Sequence, residues 1–212
     1  MPAQVQRTDR LRRYWDKHSR SYDREMGFFD RHLFGDTRHW VCSQASGQVL
    51  EVAIGTGMNL PHYPPQVPLT GIEWSQPMLG IARRRARELG RAVHLRLGDA
   101  QALPFPDASF DTVVCTFSLC GIPDDQQAVG EMDRVLRPGG LLLLADHVRA
   151  TRWYAQAAQR LIELVTIPLG GEHFRRRPLV HVQALEYAIE HHQRFKAGIV
   201  ERLAARKPDM AA

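Results

Sequence analysis

Residues 49–59 read Val-Leu-Glu-Val-Ala-Ile-Gly-Thr-Gly-Met-Asn, a short apolar run that passes into a glycine-containing turn. The apolar run predicts a buried strand, and the residues after it predict a turn that leads into a helix. Small residues at Ala53, Gly55 and Gly57 allow a ligand to approach the backbone. Glu51 suits a cationic group on such a ligand. Taken alone, the turn is equally compatible with a purely structural role.

The hundred residues around this stretch alternate between short apolar runs and helix-favouring segments. Ser75 is placed to cap a helix whose first turn contains Pro77, and that helix is expected to end at Gly90. Strands separated by helices indicate βαβ units and a mostly parallel sheet, that is, an α/β fold of the doubly wound, Rossmann-like type. The five predicted strands are residues 49–53, 69–73, 93–97, 110–116 and 141–146.

The regions on either side of this core are predicted from their helical spacing. Leu11, Tyr14, Trp15, His18 and Tyr22 recur at three- and four-residue steps and predict one face of a helix. A second apolar group follows before Gly47, so residues 1–46 are interpreted as a helical cap. The second group consists of Phe28, Phe29, Leu33, Phe34, Trp40 and Val41.

The C-terminal region, residues 148–212, is predicted to begin with a helix over residues 153–167 that is broken at Pro168. Residues 187–195 and 199–206 fit either a hairpin that turns near Gly198 or parts of one helix, and we favour the hairpin. No repeat or linker marks a second domain. We therefore expect a single domain over residues 1–212, with a cofactor-binding core at residues 47–147.

Composition fits this picture. The chain has 212 residues, 44% of them hydrophobic and 24% charged, as expected for one globular domain. No apolar run approaches the ~20 residues needed to cross a bilayer. Three cysteines without paired spacing, and a first segment without a signal-type apolar stretch, predict a cytoplasmic protein.

The positive charge is concentrated at the start of the chain. Residues 1–24 carry seven Lys or Arg and three Asp, which accounts for +4 of the net charge of +5. Such a segment could contact a membrane surface or a nucleic acid, but the simpler interpretation is a solvated helix face. The positively charged residues are Arg7, Arg10, Arg12, Arg13, Lys17, Arg20 and Arg24.

Three features downstream strengthen the prediction of a ligand site. Glu73 ends the second strand 22 residues after Glu51, where doubly wound folds place a carboxylate that binds ribose hydroxyls. Asp99 and Ala100 follow the third strand, where Asp99 can accept a hydrogen bond from an exocyclic amine. Trp74 and Met78 can supply apolar contact to a purine ring. The Arg-Pro-Gly-Gly sequence at residues 137–140 predicts a turn into the fifth strand.

Together, residues 51–59, 72–78, 98–106 with 110–111, and 134–144 resemble the successive motifs of class I S-adenosylmethionine-dependent methyltransferases. The resemblance covers about half the chain and implies a seven-stranded, mostly parallel sheet with an antiparallel C-terminal hairpin. Residues 50–64, 115–123 and 145–147 are similar to the phospholipid, quinone and alkyl-thiol enzymes of this group. Ala53 departs from the pattern, because the family usually has its first glycine there.

The resemblance implies S-adenosylmethionine as cofactor, S-adenosylhomocysteine as product and a set of binding residues. It also implies that an N-terminal tyrosine closes over the cofactor, and this role is assigned to Tyr22, with Tyr14 nearby. Simple packing of the cap onto the sheet is the alternative for both tyrosines. The predicted cofactor-binding residues are Tyr14, Tyr22, Glu51, Ala53, Gly55, Gly57, Asn59, Leu60, Glu73, Trp74, Ser75, Met78, Gly98, Asp99, Ala100, Thr116, Phe117 and Ser118.

The methyl acceptor is expected outside the carboxyl ends of the fourth and fifth strands. His147 is the candidate general base, although a histidine that is merely satisfied at a strand end fits the pattern as well. Cys120 is interpreted as a small buried side chain, and His173 is a weaker candidate. No metal-binding spacing is present, so we expect metal-independent transfer to a small molecule.

Two other functions fit the sequence less well than methyl transfer does. A nicotinamide-dependent oxidoreductase would need a third glycine where this chain has Leu60. Enzymes that methylate the exocyclic amines of nucleic-acid bases resemble one another in an Asn/Asp-Pro-Pro-aromatic turn after the fourth strand. This chain has Cys-Thr-Phe-Ser there, at residues 115–118. Peripheral membrane contact through the basic N-terminus remains an expectation.

Overall fold

The computed structural model describes the backbone of residues 3–209 and the side chains of residues 8–209. Met1, Pro2, the side chain of Arg7 and residues 210–212 lie outside the described residues. The chain forms one seven-stranded sheet in the order β3-β2-β1-β4-β5-β7-β6. The strands are β1 (Val49–Val52), β2 (Leu69–Glu73), β3 (Val93–Leu97), β4 (Phe110–Thr116), β5 (Leu136–His147), β6 (Ala188–Phe195) and β7 (Val200–Arg206).

The first five strands are parallel, and β7 pairs antiparallel with both β5 and β6. This arrangement confirms the predicted α/β class and the C-terminal hairpin. The chain reverses its order at β1, where β2 and β4 lie on either side. In open α/β sheets, ligands bind beyond the carboxyl ends of the strands at such a reversal.

Helices cover both faces of the sheet. The first segment forms several short helices, as predicted for the cap. The helices are α1 (Ala3–His18), α2 (Tyr22–Phe29) continuing into a π-helical turn (Asp30–Phe34), α3 (Thr37–Cys42), a 3₁₀ turn (Leu60–His62), α4 (Gln76–Glu88), α5 (Asp125–Val135), α6 (Trp153–Gly170) and α7 (Pro178–Ala184).

The core consists of two apolar clusters, one on each face of the sheet. Because side chains alternate along a strand, Leu50 and Val113 pack in one cluster while Val49 and Val114 pack in the other. Continuous apolar strands are typical of a parallel sheet buried on both sides. Within residues 3–209, no helix combines the length and apolar composition needed to cross a bilayer.

Three predicted boundaries were wrong. Tyr22 does not continue the helix of Leu11, because α1 ends at His18 and Tyr22 begins α2. The helix after β5 continues through Pro168 and ends at Gly170. The next residue, Gly171, terminates it with a left-handed φ of 72°. A proline in the last turn removes one hydrogen bond without ending the helix, while a left-handed glycine is a common helix terminus.

The third boundary concerns the Arg-Pro-Gly-Gly sequence, which lies inside β5 rather than before it. Leu136 pairs with Phe110 and Leu141 pairs with Thr112, so five positions along β5 correspond to two along β4. Gly139 has a φ of 68° at this irregularity. The predicted turn is therefore a bulge that interrupts the pairing without ending the strand.

Candidate cofactor and acceptor site

A cleft lies beyond the carboxyl ends of β1, β2 and β3. It has two adjoining parts of about 300 Å³ and about 480 Å³, both lined by Ala53, Glu73 and Trp74. The first part also reaches Gly98, Asp99 and Ala100, and the second reaches the cap at Trp15 and Tyr22.

Glu73 is the acidic group at the centre of the cleft. Its Oε2 accepts a hydrogen bond of 2.9 Å from the Gly55 N–H, and its Oε1 accepts one of 2.9 Å from the Ser75 N–H. The side chain is buried, and burial raises the pKa of Glu73 to about 7 despite these backbone donors. The end of β2 is thus tied to the glycine turn after β1.

The two glycines of the turn have different roles. A Cβ at Gly55 would meet one atom, the Ala53 carbonyl oxygen, at 4.0 Å. A Cβ at Gly57 would lie 2.8 Å from Leu60 Cδ1 and 3.3 Å from Ala82 of α4. Gly55 therefore leaves the space beside the cleft open, whereas Gly57 permits close packing of the turn against α4. Ala53 adopts a left-handed conformation, with φ of 54°.

Glu51 lies in a buried polar network behind the turn. Asn59 Nδ2 donates to Glu51 Oε1 at 2.7 Å and to Thr116 Oγ1 at 2.8 Å, and Arg38 Nη1 donates to Asn59 Oδ1 at 3.0 Å. Burial raises the pKa of Glu51 to about 7. Glu51 Oε2 makes no hydrogen bond of regular geometry within residues 8–209, although the nearby Tyr63 hydroxyl lowers the pKa of Glu51 against the larger effect of burial. This network fixes the end of β1 to β4 and to the cap.

The structure brings most of the predicted cofactor residues together. Leu60 packs in the core, and Ser75 caps α4 by accepting from the Met78 N–H. The predicted cofactor-binding residues that line the cleft are Tyr22, Ala53, Gly55, Glu73, Trp74, Met78, Gly98, Asp99, Ala100, Phe117 and Ser118. Those that do not line it are Glu51, Gly57, Asn59, Leu60, Ser75 and Thr116, while Tyr14 lines a different cavity.

Two aspartates attach the cap to segments that flank the cleft. Asp16 Oδ1 of α1 accepts a hydrogen bond of 2.6 Å from Ser75 Oγ. Asp23 of α2 accepts from Thr56 Oγ1 and from Arg85 Nη2, both at 2.5 Å. The sequence does not reveal these contacts, because nothing in the local pattern indicates partners more than 30 residues away.

Most basic residues of the N-terminal segment face the solvent, whereas Asp16 and Asp23 are partly buried. Arg10, Arg12, Arg13, Lys17 and Arg20 are all exposed. Arg12 Nη2 makes a 3.5 Å contact with Asp9 Oδ1 of the same helix. This is the arrangement expected for a solvated helix face.

A second, larger cavity of about 1,340 Å³ lies between the cap and α6. It adjoins the cleft beyond β1, β2 and β3, because Trp15, Tyr22 and Phe117 line both spaces. The wall is predominantly apolar, so it suits a lipophilic molecule. Its other apolar and aromatic lining residues are Tyr14, Met26, Phe29, Leu33, Tyr154, Ala155, Ala158, Ile162, Phe174 and Ile199.

A small polar group lies at the inner wall of the large cavity. The His147 ring packs edge-on against Phe34 and Phe174, with centroid distances of 5.0 Å and 5.4 Å. His147 Nδ1 lies 3.6 Å from Asp146 Oδ1 and 3.9 Å from Cys120 Sγ. The structure thus places His147 in the cavity predicted for the acceptor. Glu172 also lines the cavity, and burial raises its pKa.

Cys120, Asp146 and His147 form a cluster that the sequence spacing did not reveal. Their donor atoms lie within 4.8 Å of one another. Burial, reinforced by the charge of Asp146, raises the pKa of the Cys120 thiol well above its usual value. Metal independence stays a prediction. His173 is not among the residues that line the cavity.

Comparisons with known proteins agree with this architecture. The methyltransferase domain family matches residues 50–144. A solved S-adenosylmethionine-dependent methyltransferase from Thermotoga maritima superposes with a TM-score of 0.67 at 21% identity, covering 91% of this chain and 99% of that one. The sequence match over residues 50–144 and the fold both agree with a methyltransferase domain of the class I, S-adenosylmethionine-dependent type. The resemblance first drawn from the sequence is confirmed.

Two curated relatives are similar to this chain in sequence. A phosphatidylethanolamine N-methyltransferase from Cereibacter sphaeroides is 39% identical over 58% of this chain and 62% of its own length. A demethylmenaquinone methyltransferase from Thermus thermophilus is 40% identical over 49% of this chain and 48% of its own length. The matches thus span less than two thirds of the length of either relative.

Proposed function

We propose that this protein transfers a methyl group from S-adenosylmethionine to a lipophilic small molecule. The observation that carries the proposal is the pair of adjoining cavities. A cleft built around Glu73 and a much larger apolar cavity share Trp15, Tyr22 and Phe117 as lining residues. A polar cofactor and an apolar acceptor would then meet at these three aromatic side chains.

The residues of the cleft fit S-adenosylmethionine. Glu73 would accept hydrogen bonds from the ribose hydroxyls, and Asp99 would accept one from the adenine amine. Trp74 and Met78 would contact the adenine ring. The open space at Gly55 would admit the chain that links the ribose to the methionine carboxylate. Bound S-adenosylmethionine would supply an electrophilic methyl group on a sulfonium.

Glu51 and Asn59 would act from behind the cleft rather than by direct contact. Their hydrogen bond fixes the strand end that carries Ala53. Glu51 Oε2, which makes no hydrogen bond of regular geometry within residues 8–209, leaves one buried acceptor available to a cationic group or a water molecule. Tyr22, which lines both cavities, would cover the cofactor from the cap side.

The acceptor would occupy the large cavity with its reactive atom near Phe117. Its apolar walls favour a molecule with a hydrocarbon tail over a nucleotide or a polar metabolite. The two lipid-directed relatives support the same class of acceptor. Methyl transfer is an in-line displacement, so alignment and exclusion of water would provide most of the catalysis.

His147 is the residue proposed to take a proton from the acceptor. A hydroxyl acceptor loses its proton as the new bond to the methyl carbon forms, and the bond from carbon to sulfur breaks with its electrons left on sulfur. The His147 ring is at the inner end of the cavity, and Asp146 lies beside it. An acceptor that is already deprotonated would not need this base.

Calorimetric titration with S-adenosylhomocysteine tests the cofactor, with NADH as the matched negative ligand. Micromolar binding of the first alone is expected. Transfer of labelled methyl is then measured with a long-chain quinol, with phosphatidylethanolamine in detergent and with short-chain analogues of both. The proposal requires label in a long-chain acceptor at a rate well above its short-chain analogue. Label in added RNA instead would contradict it.

A further inference from the structure

Helix α6 has an inverted distribution of polar and apolar residues. Its buried positions include Gln159 and Glu163, whereas Leu161, Leu164 and Val165 are 67%, 73% and 58% exposed. An amphipathic helix on a globular protein normally turns its apolar side inward. The exposed apolar side chains of this helix, here called the α6 patch, are Trp153, Tyr154, Leu161, Ile162, Leu164, Val165 and Leu169.

The inward polar face is fixed by hydrogen bonds, so the orientation of the helix is specific. Gln159 accepts from the Ala150 N–H at 2.9 Å and donates to the carbonyl oxygens of Val148 and Phe174 at 2.8 Å and 2.9 Å. Glu163 accepts from the backbone N–H of Arg175 at 3.0 Å and pairs with its guanidinium. Rotation of α6 would break these contacts and bury no equivalent polar partners.

The exposed charges of α6 and of the residue before it are positive. Arg152, the residue before the helix, and Arg160 are exposed. Glu163, the one acidic residue of the helix, is buried against Arg175. The α6 patch therefore combines apolar side chains with cationic ones and carries no exposed acid.

The α6 patch is continuous with the large apolar cavity. Tyr154 and Ile162 belong to the patch and also line the cavity, and Phe29 lines the cavity from the α2 side. Phe28 and Phe29 of α2 are exposed as well. An apolar surface thus leads directly into the space proposed for the acceptor.

We propose that the α6 patch docks on the surface of an anionic lipid bilayer. Apolar side chains would enter the interface while Arg152 and Arg160 contact headgroup phosphates. A second copy of the chain fits less well, because a two-fold contact through this face would bring arginines of like charge together. The proposal rests on the proposed function in one respect, since the bilayer is the store from which a lipophilic acceptor would enter.

Vesicle co-sedimentation tests the docking without cofactor or acceptor. Vesicles of phosphatidylcholine with phosphatidylglycerol are compared with phosphatidylcholine alone. The parent is expected to bind the anionic vesicles more tightly, and Leu164→Glu is expected to weaken that binding about tenfold or more. Arg160→Glu should reduce the preference for phosphatidylglycerol. Leu89→Glu, at the end of α4, is the matched control, because Leu89 is also exposed and lies outside the α6 patch.

Equal melting temperatures would establish that the exposed substitutions leave the fold intact. The proposal would be overturned if the parent protein did not sediment with anionic vesicles. It would also be overturned if Leu164→Glu and Leu89→Glu lost vesicle binding to the same extent. A dimer in light scattering that Leu164→Glu dissociates, without vesicle binding, would assign the surface to a second copy. The proposed function is measured separately, because detergent-dispersed acceptors require no docking.

Discussion

The carboxylate of Asp16 on α1 accepts a 2.6 Å hydrogen bond from the hydroxyl of Ser75, two residues after Glu73. The N-terminal cap is therefore joined to the same short segment that supplies the proposed ribose ligand. The Ser75 N–H also donates to Glu73. Opening of the cap and disorder of the cofactor cleft should accordingly be coupled.

Asp16→Ala tests this coupling. Hydrogen bonds to charged groups contribute about 1.5–3 kcal/mol, and the partial exposure of Asp16 places this one near the lower limit. Affinity for S-adenosylhomocysteine is expected to fall about tenfold, and limited proteolysis near residues 19–21 should accelerate. Asp9→Ala is the control, since Asp9 contacts Arg12 of the same helix. Unchanged affinity in Asp16→Ala would show that the cap does not support the cofactor.

Glu73→Ala is expected to weaken S-adenosylhomocysteine binding by about a hundredfold. The substitution removes the proposed ribose acceptor and leaves the N–H groups of Gly55 and Ser75 without their carboxylate partner. Isothermal titration calorimetry measures the loss. Glu88→Ala, on the exposed end of α4, should bind like the parent. If Glu73→Ala also binds like the parent, the cofactor lies elsewhere.

The sequence predicted the parts of the fold that local patterns determine. Strands β2, β3 and β4 have the predicted bounds, and Glu73 and Asp99 line one cleft because parallel strands end at the same edge of the sheet. Ser75 caps α4 as predicted. Each of these follows from short-range periodicity, turn chemistry and the order of strands along the chain.

Long-range polar contacts could not be predicted in this way. Arg38 and Asn59 are 21 residues apart, yet their hydrogen bond belongs to the network that holds Glu51. The large cavity also depends on how the cap and α6 pack against each other. The sequence periodicity of α6 is the same whether its apolar side faces outward or inward, so only the tertiary structure shows which way it faces.

Glu51 should make stability depend on pH. Burial raises its pKa to about 7, while the unfolded chain has a value of about 4.3. Between these pH values the folded protein keeps a proton that the unfolded chain has released, so this stabilisation is fully present below about pH 4 and is lost as the pH rises through 7. Glu51→Gln removes the ionisation and is expected to melt above the parent at pH 8 but not at pH 5.

Thermal melts from pH 5 to pH 8 measure this difference. A change of 1 kcal/mol shifts the melting temperature by about 2–4 °C in a protein of this size, so a rise of a few degrees at pH 8 is expected. Glu88→Gln, at an exposed position, should follow the parent at every pH. A parallel offset of Glu51→Gln at all pH values would indicate a packing effect rather than ionisation.

Ala158→Trp tests whether the large cavity holds the acceptor. Ala158 lines the cavity, and the indole ring would occupy part of its volume. The rate with long-chain acceptors is expected to fall about tenfold or more, while S-adenosylhomocysteine affinity stays unchanged. Ala157→Trp adds the same ring to a neighbouring exposed position of α6 that does not line the cavity. Equal loss in both variants would count against this location.

His147→Gln separates the proposed base from a merely structural histidine. For an acceptor with a protonated hydroxyl, the turnover rate is expected to fall about 10²–10⁴-fold, the range typical of lost general-base catalysis. The Gln side chain keeps a polar group among Phe34, Phe117 and Phe174, so S-adenosylhomocysteine affinity and the melting temperature should change little. His94→Gln, on the exposed edge strand β3, is the control. Loss of stability together with activity would make His147 a packing residue, because a base that acts on the acceptor should affect turnover alone.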